Sequence, residues 1–351
     1  MAGATRTFGI IFTLALLACG STVGPATQPP DSGPPAADRG APDRGLAREA
    51  GQPPAPDLGR APDAKQSAPD GGGAPGQPLY AKTGLSAIKI AATGDAADAY
   101  YPEASGPFPA ALLMQGAKVD KQHYASFARA VASYGFVVVV PNHNTLMGQN
   151  MVEERLVVDV LAQLKTENTG STPLAGRIDA KTIVLLGHSF GGAASLYALQ
   201  GLCQLPFCLG TFTPPAELAG GAFYGTNLKP PFGEIPAVKN GGLPILLVQG
   251  SADQKALPAD GLTTYQKIEK GPKALLTLKG ANHYGLANVN NPPGADADPG
   301  APTLPQAVAI ETAARWSALF LRAHVLKDAA ALTYLQKTGV AADPNVSLQQ
   351  E

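Results

Sequence analysis

Cysteine, tryptophan and charge are all scarce in this chain: three cysteines and one tryptophan occur in 351 residues, and Asp, Glu, Lys and Arg together make up 15%. No run of Lys or Arg stands out, and 26 basic against 27 acidic side chains leave a formal net charge of −1. That argues against a nucleic-acid partner, because gripping phosphate backbones takes a concentrated basic surface. The apolar run near the start, Ile10 to Ala18, is too short to stay in a bilayer as a spanning helix. The few cysteines also weigh against a metal site. Cys203 and Cys208 form a close pair with no histidine or further cysteine beside them to complete four ligands. In an oxidising compartment the same pair closes a small disulfide loop, worth about 2 kcal/mol on the chain-entropy estimate.

What is present at the start fits a secretion pattern. Arg6 gives a weakly positive beginning, the apolar run comes next, and it ends in Leu16, Leu17, Ala18, Cys19. Those four residues resemble the lipobox of bacterial lipoproteins, which implies removal of residues 1–18 and acylation of Cys19; an ordinary signal peptide that contains a cysteine is the alternative. The expected location is therefore the cell envelope, with the membrane as a partner through the lipid. From 19 to 78 the expectation is a disordered tether, because Pro, Gly, Ala and Asp dominate and Ala-Pro-Asp recurs at Pro42, Pro56, Pro62 and Pro69. Such a composition buries too little apolar surface to offset its ordering entropy. A tether of this length permits a monomer.

Residues 79–351 are long enough for one large single-core domain. Short apolar runs alternate with helical patterns, which predicts a mostly parallel central sheet with helices on both faces. The clearest strands are Ala110 to Met114, Phe136 to Val140, Thr182 to Leu186, Ile245 to Gln249 and Ala274 to Leu278. The unbroken Val137-Val138-Val139-Val140 predicts a central strand, since a half-exposed strand alternates. Leu85 to Ile90 and Asp98 to Tyr101 read as leading strands with antiparallel pairing. Val157, Val160, Leu161 and Leu164 recur at helical spacing behind Glu153 and Glu154, whose charge suits a helix start. Ala313, Trp316, Phe320 and Ala323 form the core stripe of a final helix.

The chemistry is carried by Gly187-His188-Ser189-Phe190-Gly191, set between the strand ending at Leu186 and the helical Ala193 to Leu199. A G-x-S-x-G sequence in strand–turn–helix context is a nucleophile elbow, its small residues letting strand and helix approach beneath the serine. Alone it is weak evidence in a chain with 40 glycines. Two residues downstream give it weight: Asp253 lies just past the strand ending at Gln249, and His283 just past the one ending at Leu278. Ends of parallel strands share one rim, where ligands bind. In that arrangement His283 takes the proton of Ser189, Asp253 orients the imidazole, and the backbone N–H groups of Ala117 and Phe190 are the oxyanion donors. Asp260 is the rival acid, set back beyond Pro258 in the next helix. His143, after a central strand, is a pocket candidate. His123, His188 and His324 read as structural, and the Asn- and Asp-rich 288–298 as a polar surface excursion without the spacing of a calcium loop.

Tyr101-Pro102, Phe108-Pro109, Gln115-Gly116, Ala132 to Phe136, Gly-His-Ser-Phe-Gly-Gly and the Asp253 and His283 loops together resemble the branch of α/β-hydrolases that includes chlorophyllases, dienelactone hydrolases and cutinase-type polyester hydrolases. The likeness covers most of Leu85 to Phe320. It implies the α/β-hydrolase fold and an esterase without a cofactor, acting on a small-molecule, lipid or polymer ester. Cutinase-type members carry an aromatic residue where Ala117 stands, methionine where Phe190 stands, and a cleft tryptophan after the next strand. Here Phe223 and Tyr224 are the candidates for that last place, so Tyr224 joins His143 as a pocket residue. A polyester hydrolase, an acyltransferase on the same triad, or a non-catalytic binding protein on a hydrolase scaffold remain alternatives.

Overall fold

A computed structural model describes residues 76–351 apart from 146, 147, 149, 205 and 209. The signal segment, Cys19 and the Ala-Pro-Asp repeats lie outside the described residues. Along the chain run β1 (Thr83–Lys89), β2 (Ala96–Pro102), β3 (Phe108–Met114), α1 (Ala125–Ala132), β4 (Val137–Pro141), α2 (Leu156–Thr169), β5 (Ile178–His188), α3 (Phe190–Leu199), β6 (Leu218–Tyr224), β7 (Ile245–Gly250), α4 (Pro258–Gln266), β8 (Lys273–Leu278), α5 (Gln306–His324), α6 (Ala329–Thr333), α7 (Gly339–Ala342) and β9 (Val346–Gln350).

The strands form one sheet in the order β1-β2-β4-β3-β5-β6-β7-β8-β9. Pairing is parallel from β4 through β8, while β1 on β2, β2 on β4, and β9 on β8 are antiparallel. The reason is legible in β4. Val138 and Val140 enter the core layer that holds α1 and α5, whereas Val137 and Val139 enter the layer under α2 and α3. All four are fully buried; each contributes about 1.5 kcal/mol or more by leaving water. A strand covered on both faces has no side to keep polar.

From β3 the chain steps outward to β4, then crosses back to β5 on the other side of β3. The carboxyl ends of β3 and β5 therefore border the crevice where strand order reverses, the place at which open parallel sheets bind ligands.

Three elements depart from the sequence expectation. Strand β6 carries little signal, because Leu218-Ala-Gly-Gly-Ala-Phe-Tyr lacks β-branched residues and glycine weakens a strand pattern. Gly220, at φ +145°, leaves no room for a Cβ beside Pro244. Helix α5 is not the last element, since α6, α7 and β9 come after it. The final strand escapes notice because it is a polar edge strand, Val-Ser-Leu-Gln-Gln, with only Val346 buried. The chain ahead of β9 is tied to α5 through the fully buried Trp316, whose Nε1–H donates to Asp343.

Candidate active site

Ser189 follows β5 and holds the N-cap position of α3 with φ 52° and ψ −120°, a left-handed φ that a serine adopts only under local constraint. The constraint is steric. A Cβ on Gly191 would lie 2.2 Å from the Met114 carbonyl oxygen, and one on Gly187 2.7 Å from the Gly192 Cα. Helix, β3 and β5 thus meet at backbone distance, and the turn lifts the serine out of the sheet. The Ser189 N–H donates to Tyr224 O and the Thr226 hydroxyl to Ser189 O, tying the turn to the end of β6.

The three residues expected to converge do so. His283 Nε2 is 2.8 Å from Ser189 Oγ, and His283 Nδ1 is 2.9 Å from Asp253 Oδ2. Asp253 and His283 are each 1% exposed while Ser189 is half-buried, so the pair is dry and the hydroxyl reachable. Asp253 Oδ1 accepts from the Lys255 and Ala256 amides, which fixes the carboxylate. An ionised carboxylate only accepts, so Nδ1–H of His283 donates to it and Nε2 is left to accept from Ser189. Gly225 makes the pair possible. At φ +55° it sits where a Cβ would be 3.0 Å from Asp253 Oδ2 and 3.2 Å from His283 Nδ1. The rival Asp260 lies in the first turn of α4.

Ala117 and Phe190 both line the cavity over Ser189, and among the described residues neither amide has a hydrogen-bond partner. That is the state required of donors awaiting an oxyanion. The cavity measures about 570 Å³; Phe190, Phe207 and Ala193 are among its apolar lining residues, and Thr226, Asn227 and Gln254 among its polar ones.

Two predicted pocket residues are not there. His143 is 3% exposed, its Nδ1 is 2.6 Å from Asp95 Oδ2, and it lies outside the cavity wall. The turn before β2 claims the ring; with the Gln115 side-chain amide oriented so that its nitrogen donates to Pro141 O, its oxygen accepts from the His143 N–H. Tyr224 is 2% exposed because its hydroxyl donates to Asn282 O beneath the His283 loop. It supports the site from below.

Other residues of the site give no signal in the sequence. His188 is fully buried, with Nε2 2.9 Å from His283 O and Nδ1 2.9 Å from the Tyr124 hydroxyl, which also accepts from Gly116 N–H at 2.8 Å. A carbonyl only accepts, so His188 carries its proton on Nε2 and receives the Tyr124 O–H at Nδ1. Burial pushes the His188 pKa well below its ordinary value and that of Tyr124 upward, which holds both in these forms. The segment 288–298 is the polar surface excursion expected, and it is anchored at its end. Asp298, 4% exposed, accepts from the His283 N–H at 2.8 Å and from the Gln254 and Gly300 amides. No group of His, Cys, Asp and Glu among the described residues is placed to hold a metal ion. A disulfide joins Cys203 and Cys208.

The mostly parallel sheet, its helices on both faces and a serine on the β5–α3 elbow define the α/β-hydrolase fold. Within that class, a family model described as chlorophyllase matches residues 94–207, a stretch that holds Ser189 but ends before Asp253 and His283. The chain is 31% identical over 124 residues to a bis(hydroxyethyl) terephthalate hydrolase of Streptomyces coelicolor (strain ATCC BAA-471 / A3(2) / M145), covering 34% of this chain and 39% of that protein. It is 30% identical over 97 residues to Cutinase est1 of Thermobifida alba, covering 28% and 32% of the two. For a cutinase of Thermobifida fusca (strain YX) the identity is 29%, over 28% of this chain and 30% of that one. The chain spans about a third of the length of these relatives.

Proposed function

We propose that this protein is a serine hydrolase that cleaves carboxylic esters through an acyl-enzyme. The observation that carries the reading is the unbroken hydrogen-bonded line from Ser189 Oγ through His283 to Asp253, beside two amides that are unpaired among the described residues. Ser189 Oγ attacks the ester carbonyl carbon while His283 Nε2 takes its proton. The Ala117 and Phe190 amides receive the oxyanion, each worth about 3 kcal/mol of barrier. Collapse breaks the bond to the alcohol, which leaves with the proton from His283. Water repeats the sequence and frees the acid. The names of the partial relatives, cutinase and bis(hydroxyethyl) terephthalate hydrolase, support an ester as substrate. A binding protein on this scaffold would have no use for a dry Asp–His pair, whose burial costs desolvation free energy.

The full chain is expected to hydrolyse p-nitrophenyl esters, and His283→Ala to lower kcat by several orders of magnitude. Equal rates in the two proteins would dispose of the mechanism. We further propose that residues 1–18 are a signal segment, that Cys19 carries lipid, and that 19–78 tether the hydrolase domain 79–351 to the cell envelope. The support is Leu16-Leu17-Ala18-Cys19. Growth with an alkynyl fatty acid should label the protein, and Cys19→Ser should lose the label; label retained by the variant refutes anchoring at that residue.

A further inference from the structure

The general acid fixes which side of the cavity takes which half of an ester. His283 must reach the departing oxygen, so the alcohol lies on the side built by its own loop, where Tyr284, Ala297 and Pro299 stand. The acyl group is then directed away from that loop, and the apolar lining that the loop does not supply comes from α3 and the segment after it, through Phe190, Ala193 and Phe207. The Phe190 and Phe207 rings stand 4.3 Å apart between centroids, and Tyr197 backs Phe207 at 5.5 Å. Phe207 does not reach this place from a helix or strand. It sits in the loop closed by the Cys203–Cys208 disulfide, one residue before the buried Cys208. A second anchor holds the same loop, since the Gln204 amide donates to the buried Glu154 carboxylate at 3.1 Å. Gln204 O in turn accepts from the Phe207 and Cys208 amides.

Resting on the esterase reading above, we infer that Phe207, held against Phe190 by the Cys203–Cys208 loop, is the specificity-determining wall of the acyl site and selects aromatic or medium-chain acyl groups over acetyl. Apolar groups that cover both rings gain the contact; an acetyl group is too small to do so. Phe207 touches no reacting atom, so its influence falls on binding of the acyl group rather than on proton transfer.

The test uses the full chain and p-nitrophenyl acetate, octanoate and benzoate. In Phe207→Ala the ratio of kcat/KM for octanoate, and for benzoate, to that for acetate should fall by about tenfold or more, a size ordinary for lost contacts in an apolar pocket. The fall should come from KM. Phe207→Trp, which keeps an aromatic wall, should restore the benzoate ratio, and the double variant Cys203→Ser with Cys208→Ser should shift the ratios in the same direction as Phe207→Ala. An unchanged acyl profile in Phe207→Ala, or an equal loss on all three esters, overturns the inference while leaving the esterase standing. A wild type that hydrolyses none of the three overturns both.

Discussion

Behind Ser189, a line of buried hydrogen bonds joins the two halves of the proposed catalytic machinery. Gly116, beside the proposed oxyanion donor Ala117, donates to Tyr124; Tyr124 donates to His188; and His188 donates to the backbone of His283. His188 thus acts through its neighbours as a positioning residue, a role that its place in the sequence does not reveal. Tyr124→Phe removes one oxygen and leaves a buried N–H and a buried ring nitrogen unpaired, at a cost of about 1–3 kcal/mol each. We expect kcat to fall about tenfold with KM little changed, because small misplacement of donors acts on the transition state. Steady-state kinetics on a single ester checks this; a change confined to KM would refute it. Ser189, Asp253 and His283 are legible in the sequence because each lies just past a strongly apolar strand. Tyr124, Asp298 and Phe207 are not, since each acts on a partner that only the fold brings near.

At the level of elements, strands buried on both faces announce themselves and those at the margins do not. The valines of β4 can be placed from sequence alone, whereas the glycines of β6 and the polar face of β9 hide two strands. Helix α2 shows a related error. Glu154 reads as a favourable charge before a helix, yet it is fully buried, with one carboxylate oxygen on the Gln204 amide and the other unpaired among the described residues. Burial is the largest influence and pushes its pKa from 4.5 up to about 7. A carboxyl whose folded pKa is raised binds more protons in the native state between those two values. Stability therefore falls as pH rises through that window. Glu154→Gln keeps an acceptor for Gln204 but cannot ionise. Calorimetry at pH 5 and pH 8 should show the wild-type Tm dropping by more than that of the variant; parallel curves would rule the assignment out.

Across the whole molecule, separated stretches of chain converge because the strand order reverses between β3 and β5. That reversal brings Ala117 and Phe190 into the wall of one cavity with Ser189, and successive parallel strands then deliver Asp253 and His283 to the same rim. The fold is foreseeable from the alternation of apolar runs and helices. The cavity is not, because its walls come from loops such as 203–208 and 288–298 whose shape depends on a disulfide and on buried polar contacts. Every step of the proposed chemistry requires Ser189 to be an activated nucleophile, and a fluorophosphonate reports on that through a covalent adduct located by mass spectrometry. The adduct should form on Ser189 of the full chain, far more slowly in His283→Ala, and not at all in Ser189→Ala. A wild type that forms no adduct, or a Ser189→Ala protein labelled as fast as the wild type, would be incompatible with this chemistry.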